Sequence, residues 1–287
     1  MPVTDTPLRY PGGKTQMTPL VQDIMQVNNL AQCVYCEPFA GGAGIACRLL
    51  VEGAIAEAWI NDIDPSIYNF WDCVLTATDD LCELIQTTPI TMEEWRRQRE
   101  IQQQPNVSKL ALGFSTLFLN RTNRSGILKG GVIGGQEQKG NYPLDCRFNK
   151  VDLIRKVRRL SIYRDQIRLT SQDARSYIDN TVCKLPTHSL VNIDPPYFDK
   201  GPELYTSFYK ADDHAALAKA VRAIKKPWML TYDDVPAIQK LYAGLPGTRK
   251  ALNYTAQVKK IGVELLVMSP NLIPPLAINL EILPIGP

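Results

Sequence analysis

Val34-Tyr35-Cys36-Glu37-Pro38-Phe39-Ala40-Gly41-Gly42-Ala43-Gly44 is the stretch from which the fold of this chain is read. Its first four residues form a short run suited to a strand. Pro38 and the glycines end that run in a turn, where missing side chains let a ligand come close to the backbone. Ile45 to Glu52 then places apolar residues at helical spacing. A strand, a glycine turn and a helix in that order open a nucleotide-binding sheet, and the helix N-terminus favours negative charge. The turn is neither G-x-G-x-x-G nor a phosphate loop ending in Gly-Lys-Ser/Thr, so on its own it also fits a plain tight turn.

Further along, Ala56 to Ile60 reads as a second strand, ending at Asn61-Asp62-Ile63-Asp64. Asp62 lies some twenty residues beyond the glycine turn, where an acid accepts hydrogen bonds from a ribose diol. Pro65 follows closely, so Asp62 also fits a helix N-cap; beside the glycine turn, ribose binding is the expectation. Ser189 to Ile193 forms another apolar strand, and Trp228 to Tyr232 follows a helix predicted over Asp212 to Ile224. Strands alternating with helices indicate a mostly parallel α/β sheet.

The strand at Ser189 stops at Asp194-Pro195-Pro196-Tyr197. Two prolines cannot donate to a sheet ladder, and they stiffen the chain at the strand end where such sheets bind ligands. That frame presents a carboxylate, a carbonyl free of strand duties and an aromatic face. An amine placed there gives one N–H to Asp194 and the other to the Pro195 carbonyl, while Tyr197 stacks on the attached ring. The alternative is a structural Pro-Pro turn with an N-capping Asp.

From about Phe70 to Arg159 the pattern is mainly helical, with Thr91-Met92-Glu93-Glu94 as a capping-box start. Gly126 to Gly140 breaks it with a glycine-rich loop or hairpin. This block reads as an insertion into the sheet domain. The tail from Ser269 onward is rich in proline and leucine and carries no clear element.

Composition sets the outer limits. At 45% hydrophobic and 21% charged residues the chain is an ordinary globular protein. Its apolar runs are too short for the roughly 20 residues that span a bilayer, and its N-terminus lacks a secretory pattern. The seven cysteines are scattered and odd in number, which suits reduced thiols in a cytosol. Cys33 and Cys36 form a C-x-x-C with no second pair, so they are read as strand residues rather than a zinc site. A net charge of +3 does not by itself argue for nucleic acid. Arg155, Lys156, Arg158, Arg159, Arg164 and Arg168 crowd one stretch, for which a solvated helix face is the plain reading.

Together these motifs resemble the Dam-type DNA adenine-N6 methyltransferases, in that family's order and over nearly the whole chain. Leu8-Arg9-Tyr10-Pro11-Gly12-Gly13-Lys14 is similar to its N-terminal cofactor motif, and Glu37 to Gly42 to its glycine-rich loop. Asn61-Asp62-Ile63 resembles its ribose-binding strand end. Asn120-Arg121-Thr122-Asn123-Arg124-Ser125-Gly126 resembles the start of its target-recognition hairpin. Asp194 to Tyr197 matches its catalytic tetrad, and Glu264-Leu265-Leu266-Val267 a late strand. The loop with Gly130-Gly131-Val132-Ile133-Gly134-Gly135 is longer and richer in glycine than in familiar members, which bears on sequence specificity.

The resemblance implies an α/β fold: a Rossmann-like methyltransferase sheet with helices on both faces and an inserted, mainly helical target-recognition subdomain carrying a hairpin. Residues 1–70 and 160–287 would form the catalytic domain and 71–159 the insert. It implies S-adenosylmethionine as cofactor, without metal. The cofactor would be held by Tyr10, Gly13, Lys14, Glu37, Phe39, Ala40, Gly41, Gly42, Asp62, Ile63, Asp173 and Asp194. Asp194, Pro195, Pro196 and Tyr197 would carry the chemistry on an adenine flipped out of double-stranded DNA. Arg121, Asn123, Arg124, Ser125, Lys129, Lys139 and Arg147 are the candidates for DNA contact. A cytoplasmic monomer is expected, with a cognate restriction or defence partner admitted. Cytosine-N4 methylation is the alternative chemistry, disfavoured by the acid heading the tetrad, and a catalytically silent DNA binder is the alternative class.

Overall fold

The structure is a computed structural model that describes residues 4–9, 14–198, 209–255 and 259–284. Among these, the strands are β1 (Val34–Glu37), β2 (Glu57–Asn61), β3 (Ile167–Thr170), β4 (Ser189–Ile193), β5 (Trp228–Asp233), β6 (Pro246–Thr255), β7 (Lys259–Met268) and β8 (Glu281–Ile282). They form one sheet in the order β3-β2-β1-β4-β5-β7-β6-β8. The first five run parallel, whereas β7, β6 and β8 add antiparallel pairings at the far side.

Side chains alternate between two apolar layers, as the pleat requires. In β5, Met229 enters one layer while Trp228, Leu230 and Tyr232 enter the other; in β7, Leu266 and Met268 oppose Leu265 and Val267. The first layer is built with α1 (Thr18–Val27) and α2 (Gly44–Val51), the second with α8 (Ala174–Asn180), α9 (Ala211–Ala223) and α10 (Pro236–Leu241).

Between β2 and β3 lies the helical block: α3 (Pro65–Thr76), α4 (Thr78–Thr87), α5 (Met92–Ile101), α6 (Lys109–Thr122) and α7 (Lys150–Ser161). A side chain caps α5 at Thr91, as the sequence predicts, and another caps α3 at Asp64. Thr91 Oγ1 accepts from the Glu94 amide at 3.1 Å, and Asp64 Oδ1 accepts from the Ser66 amide at 2.8 Å. Helix α3 runs across position 70 and α7 across position 159. Phe70 and Trp71 are fully buried in the same apolar cluster as α1 and α2, so block and sheet share one core.

The glycine-rich loop is compact, with a single antiparallel bridge, Asn123 to Val132, in place of a regular hairpin. Positive φ at Gly126, Gly134 and Gly135 lets the chain fold back within a few residues. All seven cysteines are free thiols, and burial raises Cys33 and Cys36 to about 12. The arginines of α7 meet acids: Arg155 pairs with Asp152, Arg158 with Asp79 and Arg159 with Asp5. Among the described residues no helix is long and apolar enough to cross a membrane.

Candidate active site

The chain builds the sheet outward from β1 to β2 and β3, then resumes beside β1 with β4 and β5. The reversal leaves a crevice at the carboxyl ends of β1 and β4, where the glycine turn and the Asp-Pro-Pro-Tyr tetrad meet. The two motifs lie more than 150 residues apart in sequence, and the parallel pairing of β1 with β4 brings them together.

Asn61, at the end of β2, fastens three strand ends. Its amide donates to the carbonyls of Pro38 and Gln172, each at 3.0 Å, and its oxygen accepts from the Thr170 hydroxyl and the Gln172 amide. Asp62 beyond it accepts the amides of Gly41 at 2.8 Å and Asp64 at 2.9 Å, one on each oxygen. The N-cap of α3 is Asp64, so Asp62 is freed from that role. Burial raises the Asp62 carboxyl to about 7, against the pull of its two amide bonds. Gly41 has φ 47°, and its carbonyl accepts from the Trp71 indole at 2.9 Å. Thr6 donates to the Gly42 carbonyl at 2.6 Å, and Ala40 is buried beneath the turn.

Asp194 is partly open to solvent, and its two side-chain partners among the described residues hold Oδ1: Lys14 Nζ at 3.1 Å and Thr231 Oγ1 at 2.8 Å. Among the described residues, no hydrogen bond or ion pair reaches Oδ2. Lys14 also reaches Glu264 Oε1 at 3.1 Å and donates to the Tyr197 hydroxyl, which in turn donates to Glu264. Tyr197 is only 6% exposed, so its ring is tucked inward instead of offering the open stacking face expected from sequence. Phe198 is fixed behind it by its amide, which Asp233 accepts at 3.0 Å. Pro195 is buried and Pro196 half-buried.

Glu37 ends β1 at 5% exposure. Burial lifts its carboxyl to about 8; Asp194 adds to the rise, while Tyr35 and Asn192 oppose it. Phe39 is half-buried and meets Tyr209 edge-on, with centroids 6.0 Å apart. Ile63 is 46% exposed at the same rim. Asp173 caps α8, accepting from the Ser176 amide at 3.0 Å, and its charge helps raise the Tyr209 hydroxyl after burial does so. Tyr10 and Gly13 lie outside the described residues.

The family model of D12 class N6 adenine-specific DNA methyltransferases matches residues 10–259. The chain belongs to this family. A D12 class enzyme is a DNA methyltransferase acting on the adenine N6 amine. No curated protein matches the chain. Among solved structures it is similar to an rRNA methyltransferase, aviRa, from Streptomyces viridochromogenes. That likeness has 14% identity and a TM-score of 0.40, over 91% of this chain and 86% of that one. A putative RNA methyltransferase from Pyrococcus horikoshii aligns at 9% identity and TM-score 0.40, over 92% and 86%.

In this D12 methyltransferase the motif at Asn120 to Gly126 works inward as well as outward. Arg121 is buried and donates to the Pro7 carbonyl, and Asn123 is buried, accepting from the Trp95 indole and donating to the Ile127 and Leu128 carbonyls. Both were expected at the DNA; their side chains are committed inside the protein. Asn120 brackets Arg9, accepting from its amide and donating to its carbonyl, each at 2.7 Å. Gly126 packs so closely that a Cβ there would sit 2.1 Å from the Arg9 carbonyl oxygen. The motif therefore clamps the N-terminal segment at Pro7 and Arg9.

Arg124, Lys129 and Lys139 are exposed on the glycine-rich loop, with Ser125 and Arg147 half-buried. Lys139 pairs with Glu137. Sequence reasoning passes over three further residues, Arg9 and Tyr142 near this loop and Glu264 beside Lys14. Arg9 carries a buried Nη1 without a hydrogen-bond partner among the described residues, and burial and the nearby Arg147 both lower its guanidinium. Tyr142 stands 64% exposed on the same loop. For Glu264 the sequence offers one signal, an acid inside an apolar β run.

Proposed function

We propose that this enzyme transfers a methyl group from S-adenosylmethionine to the N6 amine of an adenine swung out of duplex DNA, within one short recognition sequence. The observation that carries this reading is Asp194 at the end of β4: its Oδ1 is held by Lys14 and Thr231, and its Oδ2 is left for an amine.

The crevice suits that cofactor. At Gly41 the left-handed backbone carries no side chain, so a ligand can lie against it. Asp62 keeps lone pairs for ribose hydroxyls beyond its two amide bonds. Glu37 is a buried acceptor suited to an ammonium, and Phe39 and Ile63 offer apolar surface to a purine, with Asp173 at the rim. Tyr10, Gly13, Lys14, Ala40 and Gly42 complete the set by family resemblance. When bound, S-adenosylmethionine supplies a methyl group already activated on a sulfonium.

The protein's share is then orientation and charge. Asp194 Oδ2 accepts one amine N–H and the Pro195 carbonyl the other, which aims the nitrogen lone pair away from both. As the nitrogen binds the methyl carbon it becomes cationic, while the electron pair of the broken bond stays on sulfur in the neutral thioether of S-adenosylhomocysteine. Asp194 stabilises the charge on the nitrogen and takes the proton the nitrogen sheds. Stacking by Tyr197 requires its ring to turn out from Lys14 and Glu264. Unstacking the base costs a few kcal/mol. Contacts from Arg9, Arg124, Ser125, Lys129, Lys139, Arg147 and Tyr142 offset that cost. A guanidinium forked onto a guanine edge contributes about 1–3 kcal/mol of discrimination.

Purified protein incubated with cofactor and duplex DNA, followed by nucleoside mass spectrometry, tests the proposal. N6-methyladenine is expected. N4-methylcytosine, or no product from protein that binds the cofactor, would defeat it.

A further inference from the structure

Strand β7 carries Glu264 into the site from a direction that the glycine loop and the tetrad do not share. In the antiparallel ladder Glu264 lies opposite Asp233 of β5 and Lys250 of β6, so the three side chains leave one face of the sheet. Glu264 is 2% exposed. Its Oε1 gathers the Lys14 ammonium and the Tyr197 hydroxyl, while its buried Oε2 has no hydrogen-bond partner among the described residues. Lys14 is thus 3.1 Å from Asp194 Oδ1 and 3.1 Å from Glu264 Oε1. One cation between two carboxylates cannot neutralise both.

We propose that Glu264 is a positioning residue for methyl transfer: when ionised it shares the Lys14 ammonium with Asp194, so that Asp194 keeps negative charge for the amine that is turning cationic. The inference rests on the reading of Asp194 given above. With Glu264 protonated, the Lys14 charge is no longer shared between two carboxylates and damps the field of Asp194 at Oδ2. With Glu264 ionised, the three groups carry a net charge of −1. Burial favours the protonated form and Lys14 the ionised form, with Asp194 adding to the rise; the balance lies at about 7. Among the described residues, Tyr197 on the β4 side, Asp233 on β5 and Lys250 on β6 are further titratable groups beside it.

The test is the pH profile of single-turnover methylation by cofactor-loaded enzyme on duplex DNA, for the wild type, Glu264→Gln and Glu264→Asp. The wild-type rate should climb through the ionisation of Glu264. Glu264→Gln should lose that inflection and run flat, about tenfold or more below the wild-type plateau, with cofactor affinity unchanged. Glu264→Asp retains an acid on a shorter arm, so its inflection should persist at a displaced pH with a lower plateau. A purely structural strut would lower the rate at every pH and leave the inflection in place, which would overturn the proposal. Should Glu264→Gln fail to fold, the aspartate variant decides, and a profile identical to wild type would again overturn it. Asp194→Asn, assayed alongside, separates the two levels: normal turnover there would remove the reading of Asp194 itself.

Discussion

If Glu37 holds the cofactor's ammonium as proposed, cofactor binding should release a proton. Its carboxyl is buried at the end of β1 and raised to about 8. At neutral pH about nine-tenths of it is therefore protonated before the cofactor arrives. Pairing with the cofactor's ammonium favours the anion, so binding at pH 7 should expel about 0.9 proton from Glu37. Ionising it there costs about 1.4 kcal/mol, one pH unit below its midpoint. Affinity should accordingly rise about tenfold per pH unit until the midpoint and then level off. Glu37→Gln removes a hydrogen bond to a charged group, worth about 1.5–3 kcal/mol, and with it this pH dependence. Isothermal titration calorimetry in two buffers of different ionisation enthalpy counts the protons. The difference between wild type and Glu37→Gln cancels any proton taken up by the cofactor itself. Equal proton release by the two proteins would refute the reasoning.

Thr231→Val removes one of two bonds on Asp194 Oδ1; the turnover rate should fall by up to about tenfold while cofactor affinity holds, as stopped-time methylation assays would show. Arg121→Ala should lower the melting temperature by withdrawing a buried donor from Pro7, whereas Arg124→Ala or Arg147→Ala should weaken or relax site choice with melting unchanged. Methylation mapping on random-sequence duplexes and thermal melts check that split. Cofactor-free protein should be most stable in mild acid. Glu37, Asp62 and Glu264 all have folded values raised above the ordinary carboxylate range, to about 8, 7 and 7. Their contribution is full below the unfolded values near 4 and is lost as pH rises through 7 to 8. Melting temperatures that rise over that interval would contradict the assignment.

The parts of this molecule legible from sequence were those with strong local signals. Val34–Glu37 and Ser189–Ile193 are bounded by glycine or proline and run where the apolar runs place them. Strand β3 was missed because Ile167–Thr170 is a four-residue edge strand whose Arg168 faces outward, over the Trp59 ring and beside Glu57. Strand β6 was missed because Pro246 and Gly247 open it and suggest a loop.

The site divides in the same way. Asp62 and Asp194 follow recognisable strand ends, so their place in the crevice was legible. Arg121 and Asn123 were misassigned because a charge or amide in a polar motif looks alike whether it points to solvent or to a buried carbonyl. Only the fold shows that Pro7, Arg9 and Trp95 are waiting there. Glu264 and Thr231 come from strands far along the chain, and no local pattern ties them to Lys14 or Asp194.

The central claim is adenine-N6 methylation of DNA at one site class. It is tested most directly by expressing the chain in a host without adenine methylation and sequencing the native DNA at single-molecule level. The account predicts N6-methyladenine confined to one short motif and lost with Asp194→Asn. A genome left unmodified by folded protein that binds the cofactor would contradict it.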